Sequence, residues 1–233
     1  MHELPTVAEL ASRIDHAVLK PNASERDVVD ACGIARRERI ASVVVKPFYV
    51  TRTRKLLEGT SVATATVIGF PHGGQPPEVK VNTASAALRD GATELDMVIN
   101  IGALLDDDYA TVEREIASVV GLAHANEALV KVILETAYFD DAHKAIGARI
   151  AAESGADFVK TSTGFGPEGA TVEDVRLLRE VVGDHVGVKA AGGIRTLDDA
   201  LALISAGADR LGTSATREIL AELRRRRGED DRP

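Results

Sequence analysis

The chain reads as a single-domain α/β protein, a (β/α)8 barrel, and three observations predict it. Short apolar, β-branched runs alternate eight times with stretches of helical periodicity. A glycine-bearing helix end recurs as Asp90-Gly91-Ala92-Thr93, Ser154-Gly155-Ala156-Asp157 and Ala206-Gly207-Ala208-Asp209, at spacings of 64 and 52 residues, each close to two βα units. Eight units in 233 residues average about 29 residues each, near the lower size bound of such barrels. The alternative is an open doubly wound sheet, but no Gly-x-Gly-x-x-Gly turn follows the first strand.

In chain order, the strand-like runs are residues 14–19, 40–45, 62–68, 95–99, 130–134, 158–159, 186–188 and 210–211. Helices lie between them and after the last. Val172, Val175, Leu178 and Val182 carry the apolar period of one of these helices. A hydroxyl followed three residues later by an acid marks several helix starts: Ser24/Asp27, Thr171/Asp174 and Thr196/Asp199. The repeated glycine supplies a left-handed cap, after which the chain turns directly into the next strand.

Composition sets further bounds. Aromatic residues make up 3% and Trp is absent, so Val, Ile, Leu and Ala must fill the interior, as in parallel sheets covered by helices. No low-complexity linker divides the chain. The single Cys32 excludes an intrachain disulfide and, in its apolar setting, is expected in a helix core rather than as a reactive thiol. No apolar run approaches the length of a membrane span and the N-terminus lacks the features of a signal peptide, so a cytoplasmic protein is expected. A net charge of −8 argues against general nucleic-acid binding, leaving a local device to hold any anionic substrate. The barrel is assigned to residues 1–223, and the charged segment 224–233 is expected to fray into a disordered tail.

Two lysines in matching contexts carry the chemistry: Lys160 in Phe158-Val159-Lys160-Thr161-Ser162-Thr163-Gly164 and Lys189 in Gly187-Val188-Lys189-Ala190-Ala191-Gly192-Gly193. Each ends a buried-looking run at the carboxyl side, where barrel active sites lie. Either alone reads equally well as a rim lysine paired to a carboxylate. Together, desolvation and like charge can leave one of them a free amine at neutral pH, the nucleophile of Schiff-base chemistry. Asp96, near the end of the fourth strand, is either a proton shuttle or a lysine's counter-ion. Gly192-Gly193 after the seventh strand and Gly212-Thr213-Ser214 after the eighth are placed to hold phosphate with backbone N–H groups and a helix N-terminus. Lys131 and Glu135 share one strand face by period two and are possible supporting partners. Lys20 and Lys46 precede prolines and are assigned to loops. His16 and His72 could line the mouth, but no His or Cys cluster has metal-ligand spacing, so neither a metal nor a cofactor is expected.

Three motifs in this order, residues 159–165, 188–195 and 94–100, resemble those of the deoxyribose-phosphate aldolases, class I aldolases built on a (β/α)8 barrel. The segments 14–21 and 69–73 look similar too, and the resemblance spans roughly residues 8–220. It implies cleavage of 2-deoxyribose 5-phosphate into glyceraldehyde 3-phosphate and acetaldehyde. On that resemblance Lys160 forms the Schiff base, Lys189 lowers its pKa, and Asp96 with a water moves protons. Gly164, Gly192, Gly193, Gly212 and Ser214 fall on the family's phosphate positions. The resemblance further implies small phosphorylated sugar and aldehyde substrates and a homo-oligomer, a dimer first. Four positions depart from patterns seen in members of the family. Ala17 replaces a Thr, Val44 a Cys and Phe165 a Lys, and the chain ends in Asp231-Arg232-Pro233 rather than Tyr, so no tail-tyrosine relay is expected. The alternatives are another Schiff-base barrel, such as a transaldolase or keto-acid aldolase, or a non-catalytic sugar-phosphate barrel.

Overall fold

In a computed structural model, which describes residues 4–229, eight parallel strands hydrogen-bond in sequence order and β1 closes on β8. The strands are β1 (Ile14–Val18), β2 (Ser42–Val45), β3 (Ala63–Ile68), β4 (Glu94–Val98), β5 (Leu129–Ile133), β6 (Phe158–Lys160), β7 (Gly187–Ala191) and β8 (Arg210–Thr213). The predicted barrel is therefore the observed one, with strand boundaries shifted by up to three residues. Around it run α2 (Glu25–Glu38), α3 (Val50–Leu56), α4 (Pro77–Arg89), α6 (Tyr109–His124), α7 (Asp141–Glu153), α8 (Val172–Val182), α9 (Leu197–Ser205) and α10 (Thr216–Arg227). Two short helices, α1 (Val7–Ala11) before β1 and α5 (Ile101–Leu105) after β4, go beyond the eight-helix expectation. Both are made locally, α1 by a Thr6/Glu9 capping box and α5 by the Asn100 side chain accepting from Ala103 N–H.

The predicted caps form. Thr196/Asp199 is a reciprocal capping box, at Ser24/Asp27 the carboxylate accepts from both the Ser24 N–H and its hydroxyl, and Thr171 accepts from Asp174 N–H without the return bond. Val175, Leu178 and Val182 are buried on α8. Cys32 is buried in α2, and burial pushes its thiol up to about 11, in keeping with a core role.

Alternation along each strand sorts side chains between two interiors. One set faces the helices and forms a large apolar core of Val, Ile, Leu and Ala. The other faces the barrel axis, where a small apolar cluster of Val44, Ala65 and Val67 sits on the β2–β3 side. Registers carry the inward set round the barrel: Val67 pairs with Asp96, Asp96 with Lys131, Lys160 with Lys189, Lys189 with Arg210, and Asp15 with Gly212. No helix among the described residues is long and apolar enough to cross a membrane.

The boundary assigned at residue 223 needs correction. Helix α10 continues to Arg227, because Arg224 pairs with Glu38, Arg226 with Asp198, and the Arg227 guanidinium donates to the carbonyls of Leu4 and Pro5. Like charges along one helix are tolerated when each finds its own acceptor. The rest of the predicted tail, residues 230–233, lies outside the described residues.

Candidate active site

Seven ionisable side chains converge inside the barrel. Lys160 Nζ lies 2.6 Å from Asp96 Oδ2, and Lys189 Nζ lies 2.7 Å from that same oxygen and 2.6 Å from Asp15 Oδ2. Lys131 Nζ stands 3.0 Å from Asp96 Oδ1 and 2.5 Å from Glu94. Arg210 joins Asp15 at 2.8 Å to Glu94 at 2.9 Å, closing the network at the bottom. Three carboxylates thus face four basic groups, all at the barrel axis. One cation is in surplus.

Physical chemistry decides which. Burial works to raise the pKa of Asp96, but Lys131, Lys160 and Lys189 outweigh it and hold the carboxyl well below the usual range. Asp15 is held low in the same way by Lys189, Lys131 and Arg210. Burial would lower Lys131, yet Asp96, Glu94 and Asp15 surround it and push it above the ordinary lysine value. Lys160 has one carboxylate, already shared with two other lysines. Burial brings it down to about 8, with the charges of Lys189 and Lys131 adding to the shift and Asp96 opposing it. The opposite fates of two partners 2.6 Å apart follow from that sharing: Asp96 gains from three cations, while Lys160 gains from a third of one anion.

Local structure sets Lys160 at the top of this network. β6 ends on it, and Thr161 locks the following turn to β7 by donating to Ala191 O at 3.2 Å and accepting from Ala191 N–H at 3.1 Å. Above lies a cavity of about 760 Å³ lined by Lys160, Lys189, Gly164, Gly192, Gly193, Gly212 and Ser214. The five phosphate-site candidates therefore share one cavity with both lysines, and Asp96 lies beneath. Lys189 and Asp96 sit in mid-strand rather than at strand ends, their long or charged side chains reaching upward to Lys160.

Gly212 and Thr213 belong to β8 instead of to a loop. Gly212 faces the axis, where a Cβ would stand 2.8 Å from Ala191 Cβ and 3.3 Å from Lys189 Cε, so its missing side chain is what makes room for Lys189. The two helix starts at the mouth also differ. Asp199 accepts from the N–H groups of Arg195 and Thr196 and closes the start of α9. α10 begins after Ala215, which offers no side-chain cap, with Ser214 exposed beside it and Arg217 on the cavity wall. The first-strand and second-strand departures, Ala17 and Val44, add apolar side chains to the lining of the same cavity.

Sequence reasoning underrated Lys131 and missed Asp15, Glu94 and Arg210 as partners. Part of the signal was available, since Glu94 and Asp96 share one strand face by a spacing of two, but the registers that bring Lys131, Lys160 and Lys189 to the same interior appear only in the closed barrel. Glu135 does not share a strand face with Lys131, because β5 stops at Ile133 and Glu135 turns into a left-handed conformation to meet Thr163. Lys46 is structural, its ammonium donating to the carbonyls of Lys20, Pro21 and Ala23. His16 turns away from the axis to bond Thr216, and burial pushes it down to about 4, while His72 is exposed.

A parallel barrel that presents an amine of lowered basicity on the floor of a cavity at the strands' carboxyl ends has the makings of a lysine-dependent lyase. A family model described as DeoC/LacD family aldolase matches residues 10–222, and the chain belongs to that family. A deoxyribose-phosphate aldolase of Thermococcus gammatolerans is 53% identical over 218 residues, covering 93% of this chain and 97% of the relative. One from Caldanaerobacter subterraneus is 48% identical over 221 residues, covering 94% and 96%. Among solved structures, the tetrameric deoxyribose phosphate aldolase of Aeropyrum pernix superposes with a TM-score of 0.88 at 38% identity, covering 94% of this chain and 92% of that one.

Proposed function

We propose that this aldolase reversibly cleaves 2-deoxy-D-ribose 5-phosphate to D-glyceraldehyde 3-phosphate and acetaldehyde, with Lys160 as the Schiff-base nucleophile. The observation that carries the assignment is the charge count at the barrel axis. Lys160 is the one base the buried carboxylates leave in surplus, and its pKa of about 8 provides free amine near neutral pH. That amine adds to the C1 aldehyde, and loss of water from the carbinolamine leaves a protonated imine. Removal of the C3 hydroxyl proton breaks the C2–C3 bond, the electron pair enters the iminium to give an enamine, and glyceraldehyde 3-phosphate departs. Protonation at C2 and hydrolysis then release acetaldehyde and restore Lys160.

Asp96, held as a carboxylate against Lys160, is the group that exchanges protons during carbinolamine and enamine steps, through a water where direct contact fails. Lys189 keeps the site cationic, so that a proton on Lys160 is disfavoured and the iminium forms beside a fixed anion. The phosphate is assigned to the side of the mouth built by Gly164, Gly192, Gly193, Gly212 and Ser214, where the open start of α10 and Arg217 favour an anion. Gly212 contributes there by the space it leaves.

Borohydride reduction in the presence of substrate, followed by peptide mass mapping, tests the reading. Label is expected on Lys160, and Lys160→Ala should abolish turnover. Label on Lys189 alone would exchange the two roles. A homo-oligomer and a cytoplasmic location complete the proposal. The Aeropyrum pernix relative is tetrameric, and light scattering on the purified chain separates a dimer from a tetramer.

A further inference from the structure

Among the described residues, four that are not glycine have a positive φ: Arg39, Asp107, Glu127 and Glu135. The first three are exposed and stand just past the ends of α2, α5 and α6, where a left-handed residue commonly closes a helix. Glu135 differs. It is 2% exposed, follows β5, and holds φ 61° and ψ 63° with a full side chain. A strained residue of this kind persists only where its contacts over-determine it, and such positions cluster near functional sites.

Its side-chain hydrogen bonds all go to the loop after β6. The carboxylate accepts from Thr163 N–H at 3.1 Å and from the Thr163 hydroxyl, which itself accepts from Phe165 N–H at 3.0 Å. The adjoining Thr136 N–H donates to Thr161 O at 3.0 Å. A Cβ on Gly166 would stand 2.9 Å from the Glu135 carboxyl, so the loop is built to close over it. The far side of that loop rests on the glycine turn after β7, where a Cβ on Gly192 would lie 3.4 Å from Gly164 Cα and 2.9 Å from Gly169 Cα. Burial pushes the Glu135 carboxyl up while the Thr163 donors, and after them the Lys160 charge, pull it back.

We infer that Glu135 is a positioning residue for the anion side of the mouth: it holds Thr163 and Gly164 against Gly192, and so sets the affinity for the phosphorylated end of the substrate. The inference rests on the function proposed above and deepens it. The left-handed backbone at Glu135 is what turns the carboxylate from the strand direction toward Thr163, and Glu135 has no contact with the Lys160 amine among its hydrogen bonds.

The test uses Glu135→Gly, which keeps the left-handed backbone without strain and deletes the carboxylate, and Glu135→Gln, which keeps an acceptor for Thr163 N–H. KM and kcat are measured with 2-deoxyribose 5-phosphate, and borohydride trapping on Lys160 is measured with acetaldehyde, which carries no phosphate. Glu135→Gly should raise KM about tenfold, the scale of one lost hydrogen bond, with kcat within about twofold and acetaldehyde trapping unchanged. Glu135→Gln should recover most of the loss. If Glu135→Gly fails to fold, Thr163→Val is expected to give the same rise in KM, and an unchanged KM there overturns the inference. Unchanged KM in Glu135→Gly overturns it as well, and so does an equal loss of acetaldehyde trapping, which would place Glu135 in the lysine chemistry. A wild-type chain that neither turns over the sugar phosphate nor traps acetaldehyde sinks the functional reading itself, whereas wild-type turnover beside an unaffected variant sinks this inference alone.

Discussion

Replacing Lys189 with leucine takes one cation from a network of three carboxylates and four basic groups, and Lys160 then changes from surplus base to needed counter-ion. Because both ammonium nitrogens touch Asp96 Oδ2, at 2.6 and 2.7 Å, they can stand no more than about 5 Å apart. At an effective dielectric constant of about 20, two unit charges at that separation repel by about 3 kcal/mol, or about two pKa units. Asp96 and Asp15, freed of Lys189, pull in the same direction. The Lys160 pKa should therefore climb from about 8 to about 10. Near pH 7.5 the free-amine fraction falls from about a quarter to a few parts per thousand, so imine formation should slow about a hundredfold. The assay is the pH profile of borohydride trapping and of kcat/KM on the folded variant. Wild type should rise to a plateau with an apparent pKa near 8, and Lys189→Leu should follow the same curve displaced about two units toward alkali, recovering part of its rate near pH 10. A variant equally slow at every pH would refute the electrostatic reasoning and leave Lys189 a role in proton transfer or positioning. An undiminished rate at neutral pH would remove it from the mechanism.

Four further outcomes are expected. Lys160→Met should raise the melting temperature at pH 7: folding disfavours the protonated amine by up to about 3 kcal/mol below pH 8, and a domain of this size gains roughly 2–4 °C per kcal/mol. The unfolded chain binds more protons between the folded value of about 8 and the ordinary 10.5, so the gap to wild type should close across that window, and a drop in melting temperature at pH 7 would contradict the desolvation argument. Asp15 and Asp96, both held below their ordinary value of 3.8, contribute stability that is present above about pH 4 and lost as the pH falls toward their folded values, while His16, whose folded value of about 4 lies below its ordinary 6.5, already costs stability as the pH falls through 6.5, so the urea midpoint should decline from about pH 6.5 and more steeply below pH 4. Ser214→Asp places an anion at the open start of α10 and should weaken binding of the phosphorylated sugar far more than of free deoxyribose; equal loss for both would move the phosphate elsewhere. Gly212→Ala drives a Cβ to 2.8 Å from Ala191 Cβ and into the space of Lys189 Cε, so trapping on Lys160 should fall while the far-ultraviolet circular dichroism is retained.

Much of the architecture was legible in the residues because it is local. Period-two runs, helix periods, hydroxyl–acid caps such as Thr196/Asp199, and glycines past helix ends act within a few positions of themselves, so eight βα units could be read in order. The last helix was misjudged at Arg224 for the complementary reason: its partners Glu38 and Asp198 are 186 and 28 residues away in sequence, and a charged run looks solvated until those acceptors are folded beside it.

The site divides along the same line. The sequence alone marked Lys160, Lys189 and Asp96, since each is a charged residue interrupting an apolar run. The family resemblance pointed to Lys160 as the nucleophile, but a physical reason to prefer it over Lys189 came only with the tertiary structure. Barrel closure brings Asp15 of β1 and Arg210 of β8 into one network with Glu94, Asp96 and Lys131, and only the complete count of three anions against four cations leaves Lys160 unmatched. Gly212 likewise reads as a loop glycine until the register of β7 and β8 shows that it clears space for Lys189. Electrostatic and steric balances of this kind are sums over neighbours, and it is closure of the sheet, rather than any local pattern, that chooses the neighbours.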